Sequence, residues 1–366
     1  MRTVLDPVEV PGRRPARVLV VDDSLAVRGL LARWIGAEPG FEVVGVAANG
    51  LGAIRALAGL KPDIVLLDLE MPEMDGFEAL PHLLAGCPGA AVVVVSTLTA
   101  RSADIALRCL ARGAVDYVSK PEGFGDGAAG FRRDLLRKLN GLASALVDRV
   151  RPTPAREPVP RAFHVPVPEA GAAPKAIVMG ASTGGPDAVM RVLANLRRVR
   201  SAPPILIVQH MPPVFTAVFA DHIRQATGLE AREATDGESV RSGRVYVAPG
   251  GRHMRLRRAF DETLIALDDG PAVQFCRPAA DILFRDAATI FGAATLGIVL
   301  TGIGHDGTDG ARAIVERGGS VIVQDEGTST IWGMPGSVAK AGFAREILPL
   351  DAIPGRIEAL LRGARL

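Results

Sequence analysis

The apolar positions of this chain fall in short unbroken runs, with amphipathic stretches between them. In the first half the runs are ARVLVVDD (16–23), FEVVGVAAN (41–49), PDIVLLDLE (62–70), AAVVVVST (90–97) and VDYVSKP (115–121). Each is followed by a stretch of helical period, such as LAVRGLLARWI (25–35). The second half repeats the plan with KAIVMGAS (175–182), PPILIVQHM (203–211), LGIVLTGIG (296–304) and SVIVQDE (320–326). Continuous Val/Ile/Leu runs are the signature of parallel strands covered on both faces. Both halves are therefore expected to be α/β, doubly wound about parallel sheets. Between about 230 and 270 the pattern changes: SGRVYVAPGGRHMRL and ETLIALDD alternate apolar with polar and carry tight glycine turns. Antiparallel hairpins are expected there.

A proline-rich stretch, RPTPAREPVPRAFHVPVPEA (151–170), separates the halves. It suits neither helix nor central strand and reads as an extended linker. Before it, GFRRDLLRKLNGLASALVDRV has a helical period of leucines and closes the first domain. The expected division is a loose extension over 1–15, a first domain over 16–145, a linker over 146–172 and a second domain over 173–366. Two domains also suit the length of 366 residues.

Charge removes several function classes. A net charge of +2 and 4% aromatic residues argue against nucleic acid as a partner. The one basic cluster, RHMRLRR (252–258), reads as a solvated hairpin. Cys87, Cys109 and Cys276 match neither a disulfide framework nor metal-ligand spacing, so they read as buried or idle thiols in a reducing cytosol. No run reaches the length of a membrane span, and the N-terminus lacks a signal-peptide core. A cytoplasmic protein without membrane insertion is expected.

Chemistry gathers where the apolar runs stop. In the first half Asp22 and Asp23 follow VLVV, Asp68 follows IVLL, Ser96 ends VVVV and Lys120 ends DYVS. Parallel sheets place ligand sites at those carboxyl ends. Either Asp23 or Ser24 could instead cap the following helix. Three carboxylates in one crevice repel unless a hard cation joins them, and an oxygen-rich site suits magnesium. With a hydroxyl and an ammonium added, the set reads as a phosphoryl-accepting site with Asp68 as acceptor and Ser96 and Lys120 on the phosphate oxygens. Here the chain resembles the receiver domain of bacterial response regulators over residues 16–140, through VDDS, LLDLEMPEMDG, Ser96 and SKP. The resemblance implies phosphorylation of Asp68 by a histidine kinase, with Asp22, Asp23 and Asp68 binding Mg2+. It leaves the switch hydroxyl between Ser96 and Thr97, and Ser96 is favoured because it directly follows the valines.

In the second half, VMGASTGGPDAV (178–189) runs from a strand into glycines and a proline. A phosphate loop would need Lys-Ser/Thr after the glycines, and a dinucleotide fingerprint would need GxGxxG. What remains is Gly180-x-Ser182-x-Gly184, the spacing of a nucleophile elbow. Pro186 at a first helical position would aim the N–H groups of Thr183 and Gly184 at the serine, as oxyanion donors. A serine nucleophile needs a base and a group to orient it. Of the six histidines, His210 alone directly follows an all-apolar strand. His82, His164 and His222 read as surface residues, His253 follows a hairpin-like stretch and His305 lies in a glycine-rich loop. Asp306 comes just after another apolar strand, in GIVLTGIGHDGTDG. Alone, His210 reads equally well as a core histidine and Asp306 as a turn residue. The order Ser, His, Asp differs from that of α/β-hydrolases.

GASTGGPDAV, PPILIVQHMPPVFT, RVYVAPGGRHM, CRPAADILF, LTGIGHDGTDG and WGMPGSVAKAG together resemble the catalytic domain of chemotaxis protein-glutamate methylesterases, the CheB family. The match runs over most of 175–350, and the order of receiver, linker and esterase agrees. The resemblance implies a Ser182, His210, Asp306 triad, with Thr183 and the position of Ile303 helping to hold the oxyanion. The family usually has Met where this chain has Ile303. A base role for His305 stays open. The implied function is a phosphorylation-regulated hydrolase that demethylates glutamate γ-methyl esters, and deamidates selected glutamines, on chemoreceptors. Ester hydrolysis would need no cofactor. Its implied partners are methyl-accepting chemoreceptors and a chemotaxis-type histidine kinase. Two other readings remain, a hydrolase of another ester or amide and a non-catalytic phospho-switch. A resting receiver that shields Ser182 is one expected form of control.

Overall fold

The computed structural model describes residues 14–121, 128–150, 173–196 and 202–364, with side chains described to 146 in the second of these ranges. The chain divides into two compact units between Arg151 and Pro152. The expected N-terminal extension lies outside the described residues except at its last two positions. The proline-rich linker lies outside them from 151 to 172.

In the first unit strands and helices alternate: β1 (Ala16–Val21), α1 (Leu25–Gly36), β2 (Phe41–Ala47), α2 (Gly50–Leu60) and β3 (Ile64–Asp68). Then come α3 (Gly76–Gly86), β4 (Ala91–Ser96), α4 (Ala100–Ala111), β5 (Asp116–Ser119) and α5 (Ala128–Val150). The sheet order is β2-β1-β3-β4-β5, with every pair parallel. Every residue of β3 and β4 is buried, which is why their sequences are continuous apolar runs with no polar face. Ser24 caps α1 by accepting from the Val27 N–H, so Ser24 is the cap and Asp23 is left exposed. The leucine-rich run before the linker forms α5, which continues to Val150, past the boundary expected near 145.

The second unit begins β6 (Ala176–Ala181), α6 (Gly185–Leu196), β7 (Ile205–Gln209), α7 (Phe215–Thr227), β8 (Glu230–Glu233) and β9 (Arg244–Val247). It continues with β10 (His253–Ala259), β11 (Glu262–Asp268), α8 (Ala280–Phe291), β12 (Thr295–Val299), α9 (Thr308–Glu316) and β13 (Ser320–Gln324). It closes with α10 (Met334–Lys340), β14 (Glu346–Leu348) and α11 (Ile353–Leu361). The main sheet has order β14-β13-β12-β6-β7-β9-β8 and is parallel throughout. β6 lies near its centre, flanked by β12 and β7.

One expectation is corrected here. RVYV does not join a hairpin; as β9 it pairs parallel with both β7 and β8. Among the described residues the antiparallel ribbon is β10 with β11, to which Ser239 adds an antiparallel bridge at Leu264. The basic cluster lies at the start of this ribbon and along it, and two of its four arginines are paired with carboxylates. Arg252 pairs with Asp269 at 2.7 Å, and Arg255 with Asp286 at 3.0 Å and Asp268 at 3.6 Å. No helix among the described residues is long and apolar enough to cross a membrane.

Candidate active and phosphoacceptor sites

At the carboxyl edge of the first sheet, β1 delivers Asp22 and Asp23 and β3 ends on Asp68. One carboxylate oxygen from each of the three lies within 4.8 Å of the others. Lys120, just past β5, puts its Nζ 2.8 Å from Asp22 Oδ2 and 2.8 Å from Asp68 Oδ2. Burial pushes the Asp68 carboxyl up, to about 6; Lys120 pulls it down and the Asp22 charge adds to the rise. A carboxyl whose folded value lies above its unfolded 3.8 contributes stability below 3.8 and loses it as the pH rises through about 6. Without a divalent cation, β1 and β3 amides of the whole chain should therefore show larger protection factors, with exchange corrected for its intrinsic pH dependence, at pH 5 than at pH 7.5. The expected loss over that window is on the order of 1 kcal/mol, from the part of the shift that lies above pH 5. Asp68→Asn should flatten the profile, and an unchanged slope in that variant would show the pH effect arises elsewhere.

Ser96 is buried, and its Oγ donates to the carbonyl of Thr97 at 3.2 Å, with the Ser102 carbonyl at 3.4 Å. It makes no hydrogen bond to Asp68 among the described residues. A relay that the sequence did not suggest runs beside it. Thr97 Oγ1 meets Ser102 Oγ at 2.8 Å, and Ser102 Oγ donates to Glu70 at 2.9 Å. Glu70 N–H in turn lies 3.4 Å from Asp68 Oδ1. Strand-end reasoning missed Ser102 and Glu70 because one sits inside a helix and the other past a strand.

In the second unit three adjacent strands converge. β6 ends at Ala181, so Ser182 stands at the carboxyl edge, 4% exposed. β7 lies beside it and ends in Gln209; the His210 N–H then donates to the Ala181 carbonyl at 3.1 Å. β12, on the other side, leads to Gly302, Ile303 and Asp306. The serine loop is held by its neighbours. Buried Gln209 donates to the Ser182 carbonyl at 2.8 Å, Ser182 N–H donates to Thr301 C=O at 3.0 Å, and Thr301 Oγ1 donates to Thr183 C=O at 2.9 Å. Gly184 has φ +74, a conformation open to glycine at little cost, and its carbonyl accepts from Ala188 N–H to start α6. Helix α6 begins at Gly185, so Pro186 is its second residue rather than its first.

Gly302 packs directly against the serine. A Cβ there would lie 2.8 Å from Ser182 Cβ and 2.5 Å from Met334 Sδ. Ile303, next along the chain, is half-buried. Gly302→Ala should destabilise the second unit by roughly 1–3 kcal/mol and lower ester turnover about tenfold or more. Wild-type turnover by the alanine variant would mean that this approach does not matter.

His210 Nε2 lies 2.8 Å from Asp306 Oδ2. Asp306 also accepts from Ala280 N–H at 2.6 Å, Asp281 N–H at 2.9 Å and Gly307 N–H at 2.9 Å. Helix α8 has no side-chain cap of its own, so Asp306 serves as its cap from a distant loop. Burial pushes Asp306 up, but the His210 hydrogen bond and charge and the helix N–H groups outweigh it and hold the carboxyl below its usual range. For His210, burial acts downward. The Cys276 sulfur and then the Asp306 carboxylate outweigh it and hold the ring above the usual histidine range. The ring's other nitrogen, Nδ1, faces Cys276 Sγ at 3.4 Å. Among the described residues no hydrogen bond joins Ser182 Oγ to the ring. Cys276 thus stands against the ring of His210, a place that neither charge nor spacing in the sequence signalled.

The other histidines separate from the site. His253 is buried, accepts from Ala279 N–H at Nδ1 (3.2 Å) and meets the Pro271 carbonyl through Nε2 (3.1 Å), so it is a satisfied core residue. His305 is exposed beside Asp306, His82 is exposed and His222 half-buried, while His164 lies outside the described residues.

The family model described as CheB methylesterase matches residues 177–357, and the response regulator receiver domain model matches 18–129. A protein-glutamate methylesterase/protein-glutamine glutaminase of Nitrobacter hamburgensis is 45% identical over 99% of this chain and 99% of its own length. One of the same name from Rhodopseudomonas palustris strain HaA2 is 46% identical over 96% of this chain and 95% of its own. The crystal structure of the Thermotoga maritima CheB methylesterase catalytic domain aligns with 38% identity and a TM-score of 0.50, covering 52% of this chain and all of that domain. With a hydroxyl, an imidazole and a buried carboxylate at neighbouring strand ends and relatives matched nearly end to end, this chain belongs to the CheB methylesterase family, with a receiver domain at its N-terminal side.

Proposed function

We propose that this chain is a phosphorylation-controlled serine hydrolase that demethylates glutamate γ-methyl esters on chemoreceptors and deamidates selected glutamines. The observation that carries the reading is the His210–Asp306 hydrogen bond of 2.8 Å at the strand end next to Ser182. With Nε2 engaged by Asp306, Nδ1 is the nitrogen left to act as base. Ser182 Oγ attacks the ester carbonyl carbon while Nδ1 takes its proton. The tetrahedral oxyanion is held by groups at Thr183, Gly184 and Ile303. Collapse expels methoxide, which leaves as methanol with the proton from His210. Water then attacks the acyl-serine, His210 takes its proton, and Ser182 is restored as the glutamate carboxylate departs. Asp306 holds the ring in one tautomer and stabilises the imidazolium. A glutamine side chain follows the same path with ammonia as the leaving group.

Control resides in the first unit. Asp68 is the phosphoacceptor, a chemotaxis-type histidine kinase the donor, and Ser96 and Lys120 hold the phosphate oxygens. Three carboxylates with all-oxygen donors within 4.8 Å fit a hard divalent cation, so Asp22, Asp23 and Asp68 would hold Mg2+. When bound, that ion neutralises charge on the transferring phosphoryl group. The reading is tested by comparing turnover on methylated receptor with turnover on a generic aryl ester, and by labelling with a serine-directed phosphonate. Label on Ser182 and a strong preference for receptor are expected. No label, or no preference, would return the chain to the other two readings.

A further inference from the structure

With Nε2 committed to Asp306, the ring of His210 has one nitrogen for its chemistry, and Cys276 stands at it. Sγ lies 3.4 Å from Nδ1. The sulfur is delivered by a strained turn. Val273 and Cys276 exchange both backbone hydrogen bonds, at 3.0 and 2.8 Å, and the two residues between them, Gln274 and Phe275, have φ of 50° and 63°. Neither is glycine, so both occupy a conformation that side chains disfavour. Such strain persists only where the surroundings over-determine it, and it gathers at functional sites. Here the surroundings are the site itself. Gln274 Nε2 donates to Asp281 Oδ2 at 3.1 Å, and the N–H of the same Asp281 holds Asp306 Oδ1 at 2.9 Å. Turn, helix terminus, carboxylate and imidazole form one connected network.

We infer that Cys276 is a positioning residue for the base: its thiol holds the His210 ring through Nδ1 until substrate enters, and then yields that nitrogen to Ser182. The inference rests on the esterase reading above. In the protonated ring Nε2–H donates to Asp306 and Nδ1–H donates to the Cys276 sulfur. Engagement follows loss of the Nδ1 proton to solvent: the bared lone pair leaves the sulfur and accepts the Ser182 O–H. The titratable groups against the ring are Cys276 and Asp306, with Asp281 behind Asp306. Together they hold the ring's proton more tightly than water does, so the base is freed only as the pH rises.

The test is the pH profile of kcat/KM on an aryl acetate, measured on the full chain and on Cys276→Ser and Cys276→Ala. Both substitutions should move the acid limb at least about half a pH unit toward acid. Serine, which can still hold the ring, should keep the plateau within roughly threefold, whereas alanine should lower it about tenfold. An acid limb unmoved in both variants, or equal loss of plateau without movement, would overturn the inference. Should the variants fail to fold, iodoacetamide alkylation of Cys276 in the folded parent gives the second reading. It should abolish turnover, and full activity after complete alkylation would equally overturn the role. A parent that fails to hydrolyse the ester, or a Ser182→Ala that still does, would instead remove the esterase reading on which the inference stands.

Discussion

Ser182→Ala removes roughly 10³-fold or more of ester turnover and leaves the fold in place. The expectation follows from how little else the hydroxyl does. The loop is held through the backbone of Ser182, by Gln209 and Thr301, and its Cβ is the part that meets Gly302. Alanine keeps all of these and deletes only the nucleophilic oxygen. His210→Ala should fall to a similar residual rate, since groups that act as a unit lose most of their effect when any one is removed. His305→Ala, at an exposed position, should stay within about threefold of the parent. Initial rates on an aryl ester, with circular dichroism to check folding, decide the matter. Should His305→Ala prove inactive and His210→Ala active, the base has been misassigned.

Asp68→Asn abolishes covalent phosphorylation. An acyl-phosphate donor such as acetyl phosphate should label the parent in a Mg2+-dependent way, and the asparagine variant should show background label only. The geometry states why Asp68 is the acceptor. It is buried, Lys120 stands 2.8 Å from its Oδ2, and Asp22 shares that lysine. Phosphoryl transfer depends mainly on positioning and charge neutralisation, which an ammonium and a cation beside the acceptor supply. Exposed Asp23, by contrast, lacks the lysine contact among the described residues. Mass spectrometry after borohydride trapping locates the phosphate. Finding it on Asp22, Asp23 or a serine would contradict the placement.

Much of this was legible because parallel strands write themselves as apolar runs and place chemistry where the runs stop. Asp22, Asp68, Ser96, Ser182 and His210 were each found by that rule, and each stands at or just past a strand end. The rule fails one strand in from the sheet's edge. β9 is short and lies among glycine turns, so its alternation with arginine mimicked a hairpin although its pairing is parallel. It also fails where two distant segments meet. Nothing local marks Asp306 as the cap of α8, and nothing local marks Cys276 as a neighbour of His210, because a turn with non-glycine residues at positive φ delivers it. Ser102 and Gln209 escaped for a related reason: their side chains serve backbone and loop groups that only the folded chain brings near.

The measurement that tests the account most directly is methanol release from methylated chemoreceptor, followed with and without acetyl phosphate and Mg2+ in the parent, Ser182→Ala and Asp68→Asn. The account requires release by the parent that changes when the phosphodonor is added, none above background from Ser182→Ala, and release by Asp68→Asn that does not respond to the donor. Methanol released by Ser182→Ala at the parent's rate, or a phosphodonor response that survives in Asp68→Asn, would contradict it.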